Sequence, residues 1–209
     1  MAAPATGQKP TRDRILAAAL TAFADRGVEA TSLDSLAAEI GVRKQTILYW
    51  FSSKEVLLLG VVDHAVAELG ARLSGAALAA RPARGRRSAH QASLEDRLIA
   101  VVDATFRLGT THPELLAVVR EVARVGPPAS THLAAAVDPL VDAAASALAP
   151  DADRARIRRV LLAAGARVVG MATEAEVRAD LGLAPNLAWL RARRHALITS
   201  LTEELASGR

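Results

Sequence analysis

Residues Leu33–Trp50 read LDSLAAEIGVRKQTILYW. Two helices joined by a tight turn need a small residue where their axes approach, a glycine in the turn and apolar residues on the faces that meet. Ala37 stands four residues before Gly41, with Leu36, Ile40, Val42, Ile47 and Trp50 at the apolar places. This coincidence is the pattern of a helix-turn-helix, far more specific than a basic helix alone.

Working outward, Thr11 is expected to cap a first helix that runs to Arg26. It buries Ile15, Leu16, Ala19, Leu20 and Phe23, and Gly27 supplies the left-handed stop. Thr31 with Asp34 reads as a capping box opening a second helix over about Leu33–Ile40. A short third helix is expected over Lys44–Phe51. Ser52 with Glu55 is a second box, opening a long fourth helix that fades near Gly75. Further helices are expected at Ser93–Thr110, Pro113–Arg124, Ser130–Ala149 with a kink or break at Pro139, Asp151–Asp180 and Asn186–Ala206, separated by Pro and Gly breakers. No segment sustains the two-residue alternation of a half-buried strand, so the fold class is all-α. The expected division is a disordered tail at 1–10, a helix-turn-helix domain at 11–55 and a larger helical bundle at 56–209. The stretch RPARGRRSAHQ at 81–91 reads as a solvated loop, with a second phosphate-contacting arm as the alternative.

Composition narrows the function. The chain has 209 residues, 51% of them hydrophobic, with a net charge of +4. That length suffices to bury a sizeable core. No long uncharged apolar stretch supports a membrane span, and the first residues lack the apolar core of a secretory signal, so a cytoplasmic location is expected. With no cysteine, disulfides, thiolate nucleophiles and Cys-based metal sites are excluded. The only lysines are Lys9, Lys44 and Lys54, so no phosphate-binding GxxxxGK[ST] loop or Schiff-base lysine lies beyond residue 54. The five histidines are scattered, without HExxH, and no GxGxxG occurs. Neither a metal nor a cofactor is expected, and an enzyme is the least favoured reading.

Cations are denser at the start, with seven Lys+Arg against five Asp+Glu up to residue 54, and 19 against 17 beyond it. If the third helix enters a major groove, Arg43, Lys44, Gln45 and Thr46 lead it. Lys44 and Arg43 can donate to guanine or phosphate, Gln45 can pair with adenine, and Thr46 can meet a thymine methyl. Tyr49 faces outward one turn later, and Lys54 at the next helix start can hold a phosphate. Phe51 and Trp50 are expected to pin the recognition helix to its own core.

Residues 12–60, RDRILAAALTAFADRGVEATSLDSLAAEIGVRKQTILYWFSSKEVLLLG, resemble the DNA-binding domain of the tetracycline-repressor (TetR) family of bacterial transcription regulators. The likeness rests on the Ala-Leu-x-x-Phe helix, the RG turn, TSLDSLAAEIGV, the aromatic end of the third helix and SKE at the fourth. It covers about a quarter of the chain. It implies an all-α homodimer that binds double-stranded DNA, and a C-terminal domain that takes a small effector and thereby weakens DNA binding. By the same resemblance Thr31, Lys44, Gln45, Thr46, Tyr49 and Lys54 fall on DNA-touching places. The sequence departs from the family pattern at three places. Arg43 stands where a Ser or Thr usually caps the recognition helix, so the cap is expected to be lost. Leu48 replaces the usual first tyrosine, and Trp50 a frequent His or Tyr.

A pseudo-palindromic operator requires two recognition helices about 34–36 Å apart, hence a dimer face. The last two helices offer small residues at Gly165, Ala166 and Gly170, and a leucine stripe at Leu187, Leu190, Leu197, Leu201 and Leu205. Of six aromatics, only Phe106 and Trp189 lie beyond the helix-turn-helix, which provides poorly for an aromatic cage. An apolar effector is therefore expected, with His64, Thr105, Phe106, His112, Arg120 and Arg167 as candidate pocket residues. A constitutive DNA-binding protein without an effector is the alternative.

Overall fold

The computed structural model describes residues 11–78, 94–148 and 154–206. Among these every element is a helix: α1 (Thr11–Arg26), α2 (Leu33–Glu39), α3 (Lys44–Trp50), α4 (Lys54–Leu78), α5 (Leu94–Thr111), α6 (Pro113–Val125), α7 (Ala129–Leu148), α8 (Arg154–Asp180) and α9 (Leu187–Ala206). The expected tail at 1–10 and the basic stretch at 81–91 lie outside the described residues. α4 continues past Gly75, and α7 runs through Pro139 as one element, without the break that was the alternative to a kink there. One missing N–H removes a single bond of the ladder, and the turns on either side carry the helix across.

The described residues form two compact units. The first comprises those up to Ala65 together with Ala117–Ala134; the second comprises those of Val66–Leu116 and from Ala135 on. The head therefore extends beyond residue 55 into α4, and takes in part of α6 and α7.

In the first unit α1 packs on α2 and α2 on α3. Ile15, Leu16, Ala19 and Phe23 of α1 are buried, as are Leu36 and Ala37 of α2, Ile47 of α3, and Leu57, Val61 and Val62 of α4. Burying one such aliphatic or aromatic side chain contributes roughly 1.5–3 kcal/mol. The close approaches depend on small residues. A Cβ at Gly60 would lie 2.7 Å from the Phe51 ring and 3.3 Å from Leu16. Gly27 and Gly41 end α1 and α2 at φ +82° and +68°, the left-handed region that favours glycine.

The second unit is built on α5, α8 and α9, which pack pairwise. Val101 and Val102 of α5, Ile157, Val160, Ala164 and Val168 of α8, and Leu197 and Leu201 of α9 share one core with Leu116, Ala145 and Leu148. This corrects the expected dimer face. Leu197 and Leu201 are spent inside their own chain and offer nothing to a partner.

Candidate nucleic-acid interface

The start of α2 shows how the head is set. The N-cap is Ser32, whose hydroxyl accepts from Ser35 N–H at 3.0 Å, one residue later than expected. Thr31 is diverted inward, with 1% of its surface exposed. Its Oγ1 donates to Gly27 O at 2.8 Å and Ala22 O at 3.3 Å. The Thr31 side chain thus ties the α1–α2 turn to the end of α1 and has no access to a partner, so it is withdrawn from the candidate interface. The same one-residue shift occurs at α4, where Ser53 Oγ accepts from Val56 N–H at 3.2 Å. The Ser53 hydroxyl also holds the Glu55 carboxyl below its ordinary value.

At α3 the N-cap is Arg43, with no side-chain bond to the helix, as its sequence foretold. Ile47 is fully buried and anchors the helix, while Phe51 at its C-cap is 3% exposed. Arg12 lies over the Phe51 ring at 5.6 Å from its centroid. The opposite side is open: Arg43, Gln45 and Leu48 are exposed, Lys44 and Thr46 partly so, and Tyr49 is 81% exposed. Trp50 does not pin the helix, contrary to expectation. It is 45% exposed and meets Tyr49 edge-to-face at 5.4 Å. Two successive residues at a helix end cannot both face the core, and Phe51 takes that place.

Lys54 also differs from expectation. Its ammonium reaches back to the α1–α2 connection and donates to Val28 O (3.0 Å), Thr31 O (3.2 Å) and Glu29 O (3.3 Å). An ammonium has three donors, and these carbonyls account for them.

Several contributors gave no signal in the sequence. Glu121 of α6 accepts from Val28 N–H at 2.7 Å, while Arg124 grips the same carboxylate at 2.8 and 2.9 Å. The bond from Arg124 is the main reason the Glu121 carboxyl titrates below its ordinary value. Arg14 donates to Ile40 O at 2.8 Å, closing the end of α2. His132 Nε2 lies 2.7 Å from Asp63 Oδ1. Asp34 Oδ2 lies 2.8 Å from Lys44 Nζ. Apart from the Arg124–Glu121 pair within α6, each joins residues too distant in sequence for a local pattern to reveal.

Residues 15–61 match the family model described as bacterial regulatory proteins, tetR family. The head belongs to the tetR family of bacterial regulatory proteins. The chain is accordingly a DNA-binding transcription regulator, and its TetR head is carried on a fold shared with solved structures over nearly its whole length. A TetR transcriptional regulator from Legionella pneumophila aligns at a TM-score of 0.68 and 18% identity, over 93% of this chain and 99% of that one. The fatty acid degradation regulator FadR from Bacillus halodurans aligns at 0.67 and 15%, over 92% and 97%. FadR from Bacillus subtilis, in complex with stearoyl-CoA, aligns at 0.67 and 15%, over 90% and 96%. At these identities the likeness is one of fold. No curated protein matches the sequence.

The candidate pocket residues are divided between the units, His64 and Arg120 in the first, Thr105, Phe106, His112 and Arg167 in the second. His112 Nδ1 lies 3.0 Å from Glu114 Oε1, and Arg167 pairs with Glu204. Thr105 donates to Val101 O, and Phe106 is half-buried. Of the candidate dimer residues, a Cβ at Gly165 or Gly170 would meet nothing within 4 Å, and Leu190 is half-buried. The exposed apolar residues of this region are Leu162 and Val177 of α8, Leu181 and Leu183 of the connection, and Leu187 of α9. Among the described residues no three His, Asp or Glu side chains gather as a metal site, and no helix is long and apolar enough to cross a membrane.

Proposed function

We propose that the chain is a homodimeric repressor that holds a pseudo-palindromic operator and releases it when a small apolar effector binds. The observation that carries the DNA-facing half is the α3 surface. Ile47 and Phe51 fix the helix from behind, leaving Arg43, Lys44, Gln45, Thr46 and Tyr49 along its outer side. Arg43, Lys44 and Gln45 supply donors for base edges and phosphates, Thr46 a methyl and a hydroxyl, and Tyr49 a hydroxyl one turn on. Lys54 acts indirectly, by fixing the α1–α2 connection through its three carbonyls.

Dimerisation is assigned to α8 and α9 by the apolar residues left bare there, Leu162, Val177, Leu181, Leu183 and Leu187, beside the open Gly165 and Gly170. Large apolar side chains left bare on neighbouring elements are what an interaction surface offers. For the effector, an acyl chain is favoured by the scarcity of aromatics beyond the head and by the stearoyl-CoA held in the Bacillus subtilis FadR of the same fold. Half-buried Phe106 and its neighbour Thr105 are the residues we assign to it.

The test is selection of a bound duplex from a random pool, followed by titration across salt with and without long-chain acyl-CoA. Log affinity is expected to fall linearly with log salt, with a slope of about −0.9 per phosphate neutralised. Lys44→Ala is expected to weaken operator binding by ~1–3 kcal/mol, and acyl-CoA to release the duplex. Salt-independent binding would sink the DNA reading, and release only by flat aromatic cations would sink the acyl reading.

A further inference from the structure

Lys44 begins α3, where the helix presents its unpaired N–H groups and the positive end of its dipole. Its N-cap neighbour Arg43 is also a cation, and α3 has no acid in its first turn. A cation in that position is electrostatically disfavoured, yet Lys44 is not left to solvent. Asp34, in the first turn of α2, holds its ammonium at 2.8 Å, with side-chain exposures of 42% for Lys44 and 70% for Asp34. The carboxylate thus stands on the same open side of the head as the residues assigned to DNA.

We infer that Asp34 is an internal competitor for Lys44, occupying the ammonium whenever a duplex offers it only a phosphate, and so lowering sequence-independent affinity. This rests on the reading of α3 as the DNA-facing helix. A phosphate and a carboxylate are both anions that bond an ammonium. The carboxylate is already attached, so exchanging it for a phosphate gains little. A position where the duplex offers Lys44 a directed acceptor, such as guanine O6 or N7, supplies what the exchange lacks. Asp34 is therefore a positioning residue that sets how readily Lys44 engages a duplex, without itself touching it. Because the pair is exposed, its strength is that of a surface ion pair, small enough to open on a matched site and large enough to matter on an unmatched one.

The inference is tested on a random-sequence duplex with the full chain, Asp34→Asn, Lys44→Ala and the double variant. Asp34→Asn is expected to bind about two- to five-fold tighter than the original protein, the worth of one surface ion pair. Its salt slope is expected to steepen by about 0.9, one added phosphate contact. In the Lys44→Ala background the gain from Asp34→Asn should largely vanish. Thermal melting by circular dichroism checks that each variant is folded, and Asp34→Ser provides a second neutral replacement. Folded neutral variants that bind no tighter than the original would overturn the inference alone, as would an undiminished gain without Lys44, which points to simple charge repulsion. An original protein that bound no duplex at any salt would overturn the regulator reading, and this inference with it.

Discussion

The two units use their charged side chains in different ways. In the head, beside side-chain pairs such as Lys44–Asp34 and Arg26–Glu39, three of them reach for the backbone: Lys54 takes three carbonyls, Glu121 the Val28 N–H and Arg14 the Ile40 carbonyl. In the second unit they mostly reach for each other. Arg158 pairs with Asp138 and Asp142, Arg167 with Glu204, Arg193 with Glu174 and Arg194 with Asp103. A charge that satisfies a loop backbone fixes where the loop goes. A pair between helix faces adjusts register and contributes only about 0–1 kcal/mol where solvent reaches it. The head is thus built for fixed presentation of α3, while the second unit depends on its apolar core. Arg97, which donates to Ala147 O and Leu148 O, is an exception in the second unit and serves a helix end.

The largest expected effect lies in that core. Leu201→Ala should cost ~2–5 kcal/mol in urea unfolding followed by circular dichroism, because a fully enclosed leucine leaves a cavity. Leu187, on the same helix but 69% exposed, should behave oppositely. Leu187→Glu is expected to leave helical content intact and shift sedimentation from dimer to monomer. If Leu201→Ala were silent, the contrast between a core-dependent unit and a polar-tethered head would collapse.

Next comes the head's own anchor. Glu121→Ala removes the acceptor of a part-buried N–H and should cost ~1–3 kcal/mol, an effect of unsatisfied backbone rather than lost charge alone. The ionised Glu121 carboxylate is favoured in the folded head, chiefly through its bonds from Arg124. Its stabilisation is therefore fully present above the ordinary value of 4.5, and is lost as pH falls below 4.5 through the lowered one. Glu121→Gln keeps an oxygen for Val28 but no charge, so it should flatten the acid side of the stability curve. A curve unchanged in shape would show that the carboxylate's charge is idle.

How much of this was legible beforehand follows the same division. α1 to α3 were readable because Ala37, Gly41 and the apolar spacing carry the motif within eighteen residues, and local signals suffice for it. The caps were readable only to within one residue. Thr31 and Ser32 can both cap, and the choice is made by the buried carbonyls of Ala22 and Gly27 that claim Thr31. Lys54 looked like a phosphate contact because a lysine at a helix start usually has water or an anion before it, and nothing nearby announced the carbonyls it meets. On α9, leucines recur on more than one face, so the pattern could not separate the enclosed Leu197 and Leu201 from the bare Leu187. Asp34 was read only as a capping acid, though its carboxylate is paired with a lysine ten residues on.

The smallest effect is also the one that tests the head against itself. α2 begins on a serine that caps it, whereas α3 begins on Arg43, which does not. Arg43→Ser should restore the missing acceptor and stabilise the head by about 1 kcal/mol, within the usual range for a neutral cap. The same change deletes a cation from the side assigned to DNA, so operator affinity should fall and the salt slope should become shallower by about 0.9. Stability and binding would then move in opposite directions through one side chain. That opposition is what a residue kept for its charge, against the demand of its helix, must give. If the variant gained stability and lost no affinity, Arg43 would be an ordinary surface arginine, and the DNA-facing set would begin at Lys44.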